Sequence, residues 1–158
     1  MAAIGDKIPS INLSVMGAEG PEAFNLADYC AGKKVVMFAV PGAFTPTCSA
    51  AHLPGFVVHA DTLKAKGVDA IICTSVNDVF VMNAWGNASN AEQIVMVADG
   101  NAELATALDL VLDAEGFGMG KRSCRYAMIV DNGEITALNV DDGGALDKSS
   151  AESILALL

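Results

Sequence analysis

Lysine and arginine are scarce in this chain, 9 in all against 19 aspartates and glutamates, which gives a formal net charge of −10. A surface of that sign repels polyphosphates and anionic headgroups, so nucleic acid and acidic membrane surfaces are excluded as partners. Cysteine is sparse as well: Cys30, Cys48, Cys73 and Cys124 are too few and too unevenly spaced for a secreted disulfide framework. No two of them make a C-x-x-C pair, so neither a zinc site nor a vicinal redox dithiol is expected. Long apolar runs are missing too. Hydrophobic residues make up 53% of the chain, yet no uncharged stretch approaches the roughly 20 residues that a membrane span needs. The opening stretch MAAIGDKIPSINLSV has no basic segment and no apolar block, and carries Asp6 and Lys7 early, so it is not expected to be a secretory signal. The cysteine usage leads us to expect a reducing, cytoplasmic setting, or an organellar one if a targeting peptide has been removed. Repeats, low-complexity tracts and linkers are also lacking, and the 158 residues are expected to form a single domain.

What is present is an alternation of strand and helix signals. The run VVMFAV, residues 35–40, is β-branched and aromatic throughout, as in a strand buried on both faces of a parallel sheet, and is expected at the centre. Ahead of it, GAEGPEAF reads as a hairpin loop and NLADYC as a short helix. A helix is expected to open near Cys48 and run to about Lys66, bent at Pro54 because proline has no N–H for the helical ladder, and stopped by Gly67. VDAIICTSV and QIVMVAD are further strands, with a helix capped by Asn77 or Asp78 between them and NAELATAL as a short helix after them. RYAMIVDNGEITALNV is a hairpin turned at Asn132-Gly133, and SSAESILALL a closing helix capped at Ser149 or Ser150. The fold class is therefore α/β: a central mixed sheet flanked by helices, in the thioredoxin-like arrangement.

The stretch VPGAFTPTCSAAHLPGF places one cysteine, Cys48, just past the buried strand and in the first turn of a helix. Unpaired N–H groups and the helix dipole favour negative charge there, and thiols in such settings are shifted from about 8.5 to between roughly 3.5 and 7.5. Pro41 and Pro46 fix the backbone on either side, Gly42 permits close approach, and Thr45 offers a hydroxyl to sulfur or to an incoming oxygen. The plain alternative is an inert core cysteine in a proline-rich turn.

Pro41, Thr45 and Cys48 follow the P-x-x-x-T-x-x-C order of peroxiredoxins, and PGAFTPTCSAAHLPGF closely resembles the branch that holds mammalian type-five and plant type-two enzymes. LKAKGV, SVNDVFVMNAW and RYAMIVDNGEITALNV extend the resemblance over nearly the whole chain. It implies a thiol peroxidase without metal, haem, flavin or other cofactor. Cys48 would attack the peroxide O–O bond and become a sulfenic acid, Pro41 would shield the pocket, and Thr45 would hydrogen-bond thiolate and peroxide. Arg125 would hold the thiolate and polarise the peroxide. Arg122 lies close by, but the tyrosine after Arg125 makes the latter the better match; the alternative for Arg125 is a surface arginine at a strand end.

The same resemblance makes Cys73 the resolving candidate, as in plant type-two members. The C-terminal stretch DDGGALDKSSAESI, where mammalian type-five enzymes carry their resolver, has no cysteine. Resolution by an external thiol stays open, since a cysteine within an apolar strand is commonly core. Thioredoxin, glutaredoxin or glutathione would supply electrons, hydrogen peroxide or a small organic hydroperoxide would be the substrate, and a homodimer is expected. Cys124 is expected to be strand-end packing, Cys30 has no assigned role, and His52 reads as a buried histidine bonded to backbone. His59 is expected at the surface, Phe80 and Trp85 in core or interface, and NVDDGG as a solvated turn. Two competitors remain: an idle thioredoxin-fold binding or chaperone module, and a hydrolase pairing Cys48 with His52 or His59.

Overall fold

The computed structural model describes residues 1–143 and 145–158. Its strands are β1 (Asn12–Gly17), β2 (Gly20–Asn25), β3 (Lys34–Val40), β4 (Ala70–Ser75), β5 (Val95–Ala98), β6 (Val111–Ala114), β7 (Gly120–Ser123), β8 (Tyr126–Asp131) and β9 (Glu134–Val140). Seven of them form one sheet in the order β2-β1-β5-β4-β3-β8-β9, and β6 and β7 pair separately. β3 is parallel to β4 and antiparallel to β8, and β4 is parallel to β5, so the parallel strands fill the middle and antiparallel pairs close both edges. The thioredoxin-like mixed sheet expected from the sequence is the one observed.

Period-two alternation along the central strands divides the core into two layers. Val36, Phe38, Val40, Ile71, Cys73, Ala127 and Ile129 point to one side. There they meet Phe56, Ala60 and Leu63 of α2 (Leu53–Ala65), Met82 and Trp85 of α3 (Val79–Ala88), and Ile154 of α5 (Ala151–Leu155). Val35, Met37, Ala39, Ile72, Tyr126, Met128 and Val130 point to the other side, against Leu26 and Cys30 of α1 (Leu26–Cys30) and Leu104 of α4 (Glu103–Ala107). Phe38 stacks on Phe56 at 4.0 Å between ring centroids, and each such buried side chain contributes about 1.5–3 kcal/mol. The side bearing α2, α3 and α5 carries the candidate chemistry.

Local signals explain most boundaries. Asn25, Asp78 and Ser150 cap α1, α3 and α5 with side-chain acceptors, and Asn132 and Gly133, at φ 49° and 82°, form the two-residue turn of the β8–β9 hairpin. Four expectations need correction. The first hairpin turns on Ala18 and Glu19 alone, because residues 20–25 already pair as β2 against β1. β3 lies one strand from the centre of the sheet, and β4 holds the middle position. The expected bend at Pro54 is replaced by a π-helical turn over Cys48–His52, with Leu53 N–H donating to Cys48 C=O, so that proline falls in the first turn of α2 where its missing N–H costs little. Gly144 lies outside the described residues, but the rest of NVDDGG is not simply solvated: Asp141 is buried. The β6–β7 hairpin escaped the sequence reading, because VLDA and GKRS lack a strong strand pattern.

Candidate active site

Helical winding ahead of α2 begins at Thr45, whose carbonyl accepts from Ser49 N–H at 2.9 Å, so Cys48 sits in the first turn as its spacing predicts. The turn is tight. Thr45 Oγ1 donates to Gly42 C=O at 2.6 Å, and Phe44 adopts φ 62°, a costly conformation for a bulky residue. A Cβ on Gly42 would stand 3.0 Å from the Thr45 methyl and 3.1 Å from Met119, so the approach of this loop to its neighbours needs glycine. Asn77 Oδ1 accepts from Ala43 N–H at 2.9 Å and from Ser75 Oγ at 2.6 Å, tying the loop to the end of β4.

Arg125 precedes β8, and strand alternation sends its side chain to the same face as Cys48. It is only 2% exposed, and its Nη2 donates to Cys48 Sγ at 3.1 Å. Nη1 lies 2.8 Å from His52 Nδ1, and His52 Nε2 lies 2.9 Å from Ser149 C=O. Because a carbonyl only accepts, the His52 proton is on Nε2 and the Nδ1 lone pair receives the guanidinium N–H. The imidazole is therefore neutral. Burial pushes its pKa down to about 4; the Ser149 carbonyl opposes this and the Arg125 charge adds to it. Both ring nitrogens are engaged away from sulfur, which removes the Cys48–His52 hydrolase pairing; His59 is occupied by Glu152 at 3.1 Å.

Pro41, Thr45 and Arg125 line a cavity of about 350 Å³ whose far wall is Leu112, Phe117 and Met119 from the β6–β7 hairpin. Cys48 itself is fully buried, and the cavity reaches its neighbours Thr47 and Arg125. Arg122 takes no part in the sulfur contact: its Nη1 donates to Val76 C=O at 2.8 Å and its Nε to Met119 C=O at 2.9 Å. Cys73 is buried at mid-strand in the same core layer as Cys48, and its thiol is pushed well above the ordinary range by burial and by the nearness of Cys48. Cys30 and Cys124 belong to the opposite layer. Trp85 is buried, with Nε1 donating to Ser49 Oγ at 3.0 Å, whereas Phe80 is 64% exposed. From the sequence Asp141 is expected only in a solvated turn and Ser149 only as a helix-cap candidate, and nothing there joins His52 to Arg125; no local motif marks a pairing across 73 residues.

A cysteine held by a buried guanidinium at a helix start, on a mixed sheet covered by helices on both faces, defines a thiol-based redox enzyme of thioredoxin-like fold. A family model described as Redoxin matches residues 3–155. The chain is 48% identical to Peroxiredoxin-2E-2, chloroplastic, of Oryza sativa subsp. japonica, over 99% of its own length and 72% of that protein's. It is 46% identical to Peroxiredoxin-2D of Arabidopsis thaliana, over 98% and 97% of the two chains. The crystal structure of reduced Prx3 in complex with hydrogen peroxide from Vibrio vulnificus superposes with a TM-score of 0.96 at 57% identity, covering 99% of each chain. The chain belongs to the redoxin family and, within it, to the peroxiredoxin branch of the plant type-two and mammalian type-five enzymes. It is a thiol peroxidase, and Cys48 is its peroxidatic cysteine.

Proposed function

We propose that the whole chain works as one domain that reduces hydrogen peroxide and small organic hydroperoxides, with Arg125, Thr45 and Pro41 serving Cys48. The observation that carries this reading is the 3.1 Å bond from Arg125 Nη2 to Cys48 Sγ inside a closed core. The thiolate attacks the terminal peroxide oxygen. An S–O bond forms as the O–O bond breaks, and the departing oxygen takes a proton and leaves as water or alcohol. Arg125 spreads the negative charge as it moves from sulfur to the leaving oxygen. The Thr45 hydroxyl already donates its hydrogen bond to Gly42 C=O, so towards a peroxide O–H it acts as acceptor. Pro41, buried at the cavity edge, helps to keep water from the sulfur.

Recycling is assigned to Cys73, because it is the one other cysteine in the core layer of Cys48 among the described residues. Its thiolate would displace water from the sulfenic sulfur, and the resulting disulfide would be reduced by thioredoxin, glutaredoxin or glutathione. Cys48 belongs to the π-helical turn and Cys73 to β4, and in the proposed cycle that turn opens to give the bond its geometry. The four free thiols fit a reducing compartment such as the cytoplasm. A homodimer through the face carrying Phe44 and Phe80, 54% and 64% exposed, agrees with the surface around the site.

Intact mass after one equivalent of peroxide tests the scheme on the wild-type chain and on Cys48→Ser and Cys73→Ser. A loss of about two daltons that needs both cysteines is expected; a gain of about sixteen that needs Cys48 alone would replace Cys73 by an external thiol. No change at Cys48 would end the peroxidase reading.

A further inference from the structure

Asp141 follows β9 directly and is 5% exposed, an unusual place for a carboxylate that forms no ion pair among the described residues. Its charge is met by hydrogen bonds alone. The carboxylate accepts from the backbone N–H groups of Asp147, Lys148 and Ser149 at 3.1, 2.8 and 3.0 Å, and from Ser149 Oγ at 2.5 Å. Burial works against the charged form, but these donors outweigh it and hold the carboxyl below its ordinary value. Its own N–H donates to Arg125 C=O at 2.9 Å.

Two routes therefore run from Asp141 to the guanidinium. One is the direct bond to the Arg125 backbone. The other passes through Ser149, whose carbonyl binds His52 Nε2–H and so leaves the Nδ1 lone pair facing Arg125 Nη1. Turned the other way, the imidazole would present N–H to N–H and push the guanidinium from sulfur.

We propose that Asp141 is a positioning residue of the peroxidatic site: by folding residues 147–149 it fixes the His52 tautomer that holds Arg125 against Cys48. It touches neither sulfur nor peroxide. The inference rests on the reading of Cys48 as peroxidatic.

The test is the pH profile of iodoacetamide alkylation at Cys48, together with the second-order rate with hydrogen peroxide. Both are measured for wild type, Asp141→Asn, Ser149→Ala and the exposed-neighbour control Asp142→Asn. The groups bearing on the sulfur come from several elements: Arg125 ahead of β8, His52 on its own turn, Cys73 on β4, and Asp141 through its field at His52. Their signs separate the explanations. Removing a negative charge through space alone would favour the thiolate and move the profile to lower pH. Loosening Arg125 does the opposite, and the expectation for Asp141→Asn is a move of about one unit to higher pH with an about tenfold slower peroxide reaction. Ser149→Ala should shift both in the same direction by less, and Asp142→Asn should shift neither. A folded Asp141→Asn with wild-type profile and rate overturns the proposal, as does a move to lower pH. Should Asp141→Asn not fold, an unshifted Ser149→Ala overturns it equally. Because alkylation needs no peroxide, a wild-type chain that alkylates at Cys48 but leaves peroxide untouched would sink the peroxidase reading, whereas unshifted alkylation profiles in a chain that consumes peroxide would sink the role of Asp141 alone.

Discussion

Cys48 and Cys73 lie on one face of the sheet and Cys30 and Cys124 on the other. Cys30 has a cation beside it, as Cys48 does, yet burial pushes its thiol up to about 11 and Lys33 only partly offsets this. The reason is direction. Lys33 Nζ donates to Tyr29 C=O at 2.9 Å and lies 4.5 Å from the centroid of the Tyr29 ring, so its charge is committed elsewhere. Arg125 is buried, forked, and turned so that one nitrogen meets sulfur and another meets His52. Cys124 directly precedes Arg125 in the chain, but it packs with the opposite core layer, and burial raises its thiol as well. A nearby cation does not by itself make a reactive thiol; a donor held on the sulfur does.

The sharpest way to break this contrast is to remove the donor. Arg125→Ala should lower the second-order rate with hydrogen peroxide by about 10²–10³-fold, the usual cost of losing one charge-stabilising donor. Arg122→Ala should cost far less, since its hydrogen bonds go to Val76 and Met119 and fasten the cavity wall. Competition kinetics against a reporter peroxidase would compare the two, and equal small losses would mean that the sulfur does not depend on Arg125. Arg125→Lys should behave like alanine more than like wild type, because an ammonium cannot span sulfur and imidazole in one plane.

A smaller effect follows from His52. Its folded pKa of about 4 lies below the ordinary 6.5, so on acidification the unfolded chain takes up this proton first. The stability that the neutral histidine contributes is complete above the upper value and is lost as pH falls through the window to the lower one. It amounts to about 3 kcal/mol over that span. Urea melts at stepped pH should show this slope, and His52→Gln should flatten it. A slope unchanged by the substitution would place the acid sensitivity elsewhere. The face bearing Cys30 and Cys124 has no histidine and should add none of this slope.

These contrasts show which parts of the molecule were legible in the chain. VVMFAV as a strand, the Asn132-Gly133 turn and the caps at Asp78 and Ser150 are local patterns that need no partner to be read, and each forms the expected element; the place of VVMFAV in the sheet, one strand from the centre, is not a local property. Cys48 is legible for the same reason, since a helix start is a local feature. Arg125 was identified through a family likeness, and its contact with His52 joins residues that only the folded sheet brings together. The acidic turn was misread because solvent exposure is the usual fate of consecutive aspartates; four hydrogen bonds gathered from 147–149 reverse that outcome at Asp141. The π-helical turn is not legible from the sequence, because proline announces the break in the ladder but not how neighbouring residues absorb it.

The finest of these contrasts concerns that turn. Cys30 sits in a regular helix whose last carbonyls are met by the chain that follows, whereas Cys48 sits in a π-helical turn braced sideways by the bond from Trp85 Nε1 to Ser49 Oγ. Under the proposed cycle the turn must open to bring Cys48 to Cys73, so this brace opposes the opening. Trp85→Phe keeps an aromatic ring in the core and removes one neutral hydrogen bond, a loss of about 1 kcal/mol. Amide hydrogen exchange over residues 49–53 should therefore quicken by about fivefold, while the global melting temperature shifts by only a few degrees and exchange around Cys30 stays unchanged. Disulfide formation after peroxide should quicken in step, leaving the sulfenic acid less time to be over-oxidised. Unchanged exchange in the turn would show that the brace carries no strain against opening, and that Trp85 serves the core alone.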